Sequence, residues 1–81
     1  MIGNVVCSKA GRDKGKFMVV LGLSDGNLLV ADGKERPIER PKLKNPKHLQ
    51  KTNSILESTQ YSTNKSLRKA LKAFGAQQEE D

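Results

Sequence analysis

Arg12, Lys14 and Lys16 occupy alternate positions of the segment Gly11-Arg12-Asp13-Lys14-Gly15-Lys16, between the apolar runs Val5-Val6-Cys7 and Phe17-Met18-Val19-Val20-Leu21. Gly11 and Gly15 permit backbone angles that other residues avoid, so the segment reads as a tight loop joining two strands. Guanidinium and ammonium groups crowded on such a loop, with Lys9 just ahead of it, are suited to gripping phosphates. Gly15 stands beside the second strand, where the lack of a side chain would let a phosphate approach the backbone. A second cationic stretch holds Arg36, Arg40, Lys42, Lys44, Lys47 and His48 and is punctuated by Pro37, Pro41 and Pro46. These residues and those of the first loop form the expected polyanion-binding set.

Other chemistries lack their residues. The Gly11–Phe17 spacing is one residue short of a nucleotide-binding phosphate loop, and Phe17 stands where a magnesium-holding hydroxyl is needed. His48 is the sole histidine and Cys7 the sole cysteine, so no ordinary zinc set can be assembled. No nucleophile has a nearby base. Neither catalysis nor a metal or other cofactor is expected. Cys7 lies within an apolar run and reads as a small buried hydrophobe, not as half of an internal disulfide.

The charge balance strengthens the polyanion reading. Fifteen Lys and Arg against nine Asp and Glu give a net charge of +6. All fifteen cations fall in three blocks: Lys9–Lys16, Lys34–Lys51 and Lys65–Lys72. Such segregation points to nucleic acid over a merely solvated surface. No apolar run approaches a membrane span and no secretory leader is apparent, so a cytoplasmic location without membrane association is expected. The three aromatic residues, Phe17, Tyr61 and Phe74, supply no stacking platform on the strands. That argues against a reader of unpaired bases and for recognition of structured RNA through phosphates and shape.

The elements that must carry these loops follow from patterning. Ile2–Ser8 reads as a first strand and Lys16–Leu23 as a second, central one, because its apolar run is unbroken. Ser24-Asp25-Gly26-Asn27 is a turn, and Leu28–Ala31 is a third strand. Asp32-Gly33 signals a hairpin whose return strand would be Lys34–Glu39, with Pro37 marking an edge. Arg40–Leu49 reads as an extended basic loop, with a short closing strand at Leu49–Thr52. This many short strands fit a mainly β fold, a small SH3-like five-stranded barrel over residues 1–52, since closure hides strand edges. Residues 53–63 read as a polar linker with room for one helical turn. Thr63 or Asn64 can cap an amphipathic helix over residues 64–75, with Leu67, Ala70, Leu71 and Phe74 on one face. Gly75 is a plausible stop, and residues 76–81 are expected to be a disordered acidic tail. The apolar strand residues all lie in 1–52, so that part is expected to fold alone. The helix either caps the barrel or docks on a partner.

Val5-Val6, Lys9-Ala10-Gly11-Arg12-Asp13-Lys14-Gly15-Lys16 and Val19-Val20 together resemble a KOW motif, whose central glycine is Gly11 or Gly15, with Gly15 favoured because it stands next to the apolar strand. Ala31-Asp32-Gly33 and Pro41-Lys42-Leu43-Lys44-Asn45-Pro46-Lys47-His48-Leu49 resemble small ribosomal-type KOW proteins, a large-subunit ribosomal protein family and its stand-alone bacterial relatives. The resemblance implies an SH3-like barrel whose loops contact structured RNA, foremost ribosomal RNA. Some members of such families bind ribosomal or polymerase proteins instead. The expected protein is therefore a non-enzymatic RNA-binding component of the translation apparatus, monomeric when free. The competing expectation is a protein-interaction module of the transcription or translation machinery.

Overall fold

The computed structural model describes residues 2–79. Five antiparallel strands form one sheet: β1 (Asn4–Ser8), β2 (Phe17–Ser24), β3 (Asn27–Ala31), β4 (Lys42–Lys44) and β5 (Leu49–Ile55), followed by one helix, α1 (Asn64–Glu79). The spatial order is β4-β3-β2-β1-β5, so β4 and β5 are the edges and the hydrogen-bonded ladder does not close into a barrel.

Strand side chains alternate between two faces, and here both faces are apolar. Val5, Val19 and Ala31 lie in one cross-strand row, and Leu67, Leu71 and Phe74 of α1 cover them. Val6, Met18, Val20, Leu28, Val30 and Leu49 point the other way and are nearly inaccessible, yet that cluster consists only of strand residues. The sheet itself must curl to enclose them. Two register shifts assist the bend. One falls between Val20 and Gly22 of β2, the other between Asn4 and Val6, where β1 meets β5. At the second, the buried Asn4 side chain donates to the Thr52 and Ser54 carbonyls at 3.0 and 2.9 Å, and the Thr52 hydroxyl donates to the Val5 carbonyl at 2.7 Å. Because β2 is central and carries both faces, Phe17–Leu21 is an unbroken apolar run.

Several elements differ from the sequence expectation. Lys34–Glu39 is not a strand. The Asp32 carboxylate accepts from the Lys34 and Arg36 amides, both at 2.9 Å, and the Asp32 and Gly33 amides donate to the Arg36 carbonyl. These bonds close the turn on itself and leave no ladder to extend. The strand returning along β3 is β4, inside the stretch expected to be a loop, with Leu28, Leu29 and Val30 opposite Lys44, Leu43 and Lys42. Strand β5 continues to Ile55, past the expected end at Thr52, while Ser58–Tyr61 forms the single helical turn, 3-10 in type, for which the linker has room. Cys7 is half-buried and free.

Helix α1 starts where its sequence says. The Thr63 hydroxyl accepts from the Ser66 amide at 3.1 Å while the Ser66 hydroxyl accepts from the Thr63 amide at 3.2 Å, a reciprocal cap. The Asn64 side chain instead accepts from the Ile38 amide at 2.8 Å and donates to Glu39. The helix runs through Gly75 to Glu79, because Ala76, Gln77, Gln78 and Glu79 are good helix formers. The expected disordered tail is thus helical as far as 79, and residues 80–81 lie outside the described residues.

Gly33 sets how closely α1 approaches. Its φ is +79°, and an added Cβ would stand 2.6 Å from the Asn64 carbonyl oxygen and 3.3 Å from the Leu67 Cβ. The helix completes a core over Val5, Val19 and Ala31, which argues against the expectation that residues 1–52 fold alone. Residues 1–52 by themselves should lack β-structure by circular dichroism, since Val5, Val19 and Ala31 lose their cover. A folded fragment would contradict this. Gly33→Ala should cost at least about 2 kcal/mol through strain and displacement of α1. Gly75→Ala meets only ordinary contacts, 3.8 Å to Phe17, and should stabilise by about 0.5–1 kcal/mol. Urea unfolding of the two variants checks these opposite signs.

Candidate functional site

The loop between β1 and β2 is shaped by a 3-10 turn at Gly11–Asp13. The Lys14 amide donates to the Gly11 carbonyl at 3.2 Å, the Lys16 amide to the Asp13 carbonyl at 2.9 Å, and the Gly15 amide to the Ser8 carbonyl at 2.8 Å. This tight path exposes Arg12 and Lys14 and turns Asp13 inward, where it is 4 % exposed. The Asp13 carboxylate oxygen Oδ2 lies 3.6 Å from both the Lys42 and the Lys44 ammonium and 3.9 Å from the Arg36 guanidinium. That oxygen and the Arg36 Nε are buried without a hydrogen-bond partner among the described residues. Net charge attraction, rather than directed hydrogen bonding, holds the cluster.

Burial alone would raise the Asp13 pKa, but the surrounding Lys42, Lys44, Arg36 and Lys16 outweigh it and hold the carboxyl below its ordinary value. Lys44 is the deepest of the cations at 8 % exposed. Its ammonium donates to the Ser8 hydroxyl at 2.8 Å and to the Ala10 carbonyl at 3.4 Å. Since Lys42 and Lys44 pair with Val30 and Leu28, they share the inner face of the curled sheet. From there Lys44 reaches back to the end of β1 and links the edge strand to the loop.

A second link joins the following segment. The Asn45 side chain accepts from the Lys47 amide at 2.9 Å and starts a 3-10 turn at Pro46–His48. The Lys9 amide donates to the His48 carbonyl at 2.8 Å. The two basic stretches therefore meet along an open cleft of about 440 Å³ between Ala10-Gly11 and Lys42–Asn45, with His48 at its end.

The expected binding residues divide into distinct groups. Lys9, Arg12, Lys14, Lys47 and His48 are exposed on the joined loops. Gly15 is exposed, with φ +87° and nothing within 4 Å of an added Cβ. Arg36 and Lys42 are half-buried and face Asp13. Lys16 pairs with Glu35, and that hydrogen bond raises the lysine pKa and lowers the glutamate's. Lys44 is committed to internal contacts, so a ligand cannot reach it without rearrangement. Arg40 is exposed on the loop before β4, and the hydrogen bonds and ion pairs among the described residues do not tie it to the first loop. Sequence reasoning missed Asp13, whose signal was its position as the lone acid in a cationic block. It also missed that Arg68 and Lys72 of α1 approach the same loop.

Among the described residues no helix is long and apolar enough to cross a membrane, and no cluster of metal-ligating side chains occurs. No protein-family model matches the chain, and no curated protein matches it.

The Asp13 cluster has a testable pH signature. A carboxyl whose pKa is lowered by folding contributes stability above its unfolded pKa, near 3.8, and loses it as pH falls through the folded value. Asp13→Asn should therefore destabilise by about 3 kcal/mol at neutral pH, because the buried Lys44 ammonium and the half-buried Arg36 and Lys42 lose their counter-charge. Its stability should also fall less steeply than that of the parent on acidification below about pH 5. Denaturant unfolding from pH 7 to pH 3 checks both, and equal stability with parallel pH curves would contradict the assignment.

Proposed function

We propose that this chain is a KOW-type RNA-binding protein that acts without catalysis. On this reading the five-stranded sheet is a curled, partly open form of the SH3-like barrel. The single observation that carries the proposal is the junction of two basic segments distant in sequence. The Asp13 cluster and the Lys9–His48 bond hold Lys9, Arg12, Lys14 and Lys47, with the His48 ring beside them, on adjoining loops, where the four cations can act together on one phosphate backbone. Lys9, Arg12, Lys14 and Lys47 have no acidic partner among the described residues, nor has Arg40, which lies away from this junction. Affinity comes from phosphate neutralisation and counterion release, and selectivity from the shape of the loop pair against a folded RNA. Ribosomal RNA is the natural target, given the resemblance of Lys9–Lys16 and Pro41–Leu49 to small ribosomal-type KOW proteins. The protein would then serve as a cytoplasmic, monomeric ribosomal or ribosome-associated component of translation.

One observation favours the second reading, a protein-interaction module for ribosomal or polymerase proteins. Leu43 is 50 % exposed on the edge strand β4, and a free strand edge can accept a partner strand. Salt separates the two: phosphate contacts weaken steeply as salt rises, and an apolar interface does not.

The variant Arg12→Ala/Lys14→Ala/Lys47→Ala should fold as the parent does, since all three side chains are exposed and such changes stay within about 0.5 kcal/mol each. Its affinity for a ribosomal RNA hairpin should fall about tenfold or more, and its log-affinity against log-salt slope should become shallower by roughly 2–3 units. Unchanged affinity and slope would refute the proposal. Gly15→Ala should cost about 1 kcal/mol of stability through strain alone. It should also weaken RNA binding by more than that loss explains, if the backbone lies against phosphate.

A further inference from the structure

On the far side of the first loop, between it, the Asp32–Arg36 turn and α1, lies a second open cleft of about 480 Å³. Its floor is apolar: Phe17, Leu71 and Gly75. The Phe17 ring is held edge-to-face on Phe74, with centroids 4.9 Å apart at 79°, and remains half-buried. It therefore belongs both to the core and to the cleft, whereas the aromatic residues are expected from sequence to supply no stacking platform on the strands. The rim carries Lys16, Lys34, Arg68 and Lys72, interrupted by the carboxylates of Asp32 and Glu35. The guanidinium of Arg68 is fixed by donating to the Gly33 carbonyl at 2.7 Å, and Lys16 is held by Glu35. Lys34 and Lys72 are exposed, and no acidic partner holds either among the described residues.

This composition selects its occupant. A bare phosphate has no use for an apolar floor and is repelled by two carboxylates. A regular RNA duplex offers convex rows of phosphate and keeps its base faces stacked inside. An unpaired nucleotide satisfies every part: a flat base face for Phe17 and Leu71, amino donors that a rim carboxylate can accept, and flanking phosphates for Lys34 and Lys72. Gly15 and Lys16 line this cleft while Gly11 lines the first one, so one RNA can run over the loop and reach both.

Building on the RNA-binding reading, we infer that the Phe17–Leu71 cleft receives a single unpaired nucleotide extruded from the structured RNA gripped by the first loop. The protein then selects bulged or looped helices over perfect ones. The test compares two hairpin RNAs, identical except for one bulged nucleotide, by fluorescence anisotropy with the full chain at fixed salt. The parent should prefer the bulged RNA by about fivefold or more, the lower range of what stacking one base contributes. Lys34→Ala/Lys72→Ala, which alters only exposed side chains, should bind the perfect hairpin within about threefold of the parent and show a reduced preference, because the flanking phosphates no longer hold the nucleotide in the cleft. Equal binding of both RNAs by the parent overturns the inference and leaves the general RNA reading standing. A double variant that keeps the full preference overturns it as well. Binding to neither RNA overturns the broader reading, and this inference falls with it.

Discussion

A buried carboxylate surrounded by three cations is the constraint on which the functional end of this molecule depends. A strand edge bearing Lys42 and Lys44 on its inner face would repel the basic loop opposite it. Asp13, turned inward by the 3-10 turn at Gly11–Asp13, reverses the sign of that contact. The same arrangement leaves the cluster with more positive than negative charge, so the loop stays cationic after it is fastened. Burying one acid thus lets many bases be displayed close together. A loop without Asp13 would have to disperse them.

The second constraint is the use of both faces of a small sheet. A chain of 81 residues has little interior to draw on. Here the strands supply two apolar clusters, one wrapped by the sheet and one sealed by α1. The helix is consequently part of the fold, and its position brings Arg68 and Lys72 alongside the first loop. Gly33 and the Thr63–Ser66 cap fix that position, so packing under α1 is coupled to the geometry of the basic surface.

Local chemistry made some elements legible in the sequence. The β-branched run at Val5-Val6, the continuous apolar run of β2 and the Asp25-Gly26 turn each carry their own signal, and the apolar spacing of Leu67, Leu71 and Phe74 announces α1. Strand β4 was not legible. Lys-Leu-Lys reads as a surface segment, because its inner face meets a carboxylate instead of a hydrophobic core and Leu43 faces outward. The Asp32–Arg36 turn misled in the opposite sense. Its Asp-Gly start suggests a hairpin, but the Asp32 side chain takes up the amides that a return strand would have used. For the site, the sequence located the charge and not its allocation. Nothing local distinguishes Lys44, which is internal, from Lys47, which is exposed, since the difference is made by Ser8, Ala10 and Asp13 more than thirty residues earlier.

The central claim is that the first loop and the Pro46–His48 turn act as one RNA-facing surface. Amide chemical-shift mapping of the 15N-labelled chain during titration with a structured ribosomal RNA fragment tests it most directly. The account predicts saturable shifts concentrated at residues 9–16 and 45–48, with Ile55–Tyr61, which follow the opposite end of β1 through the Leu56–Gly3 bond, left unperturbed. Shifts confined to one of the two basic segments, or centred on Ile55–Tyr61, would contradict it.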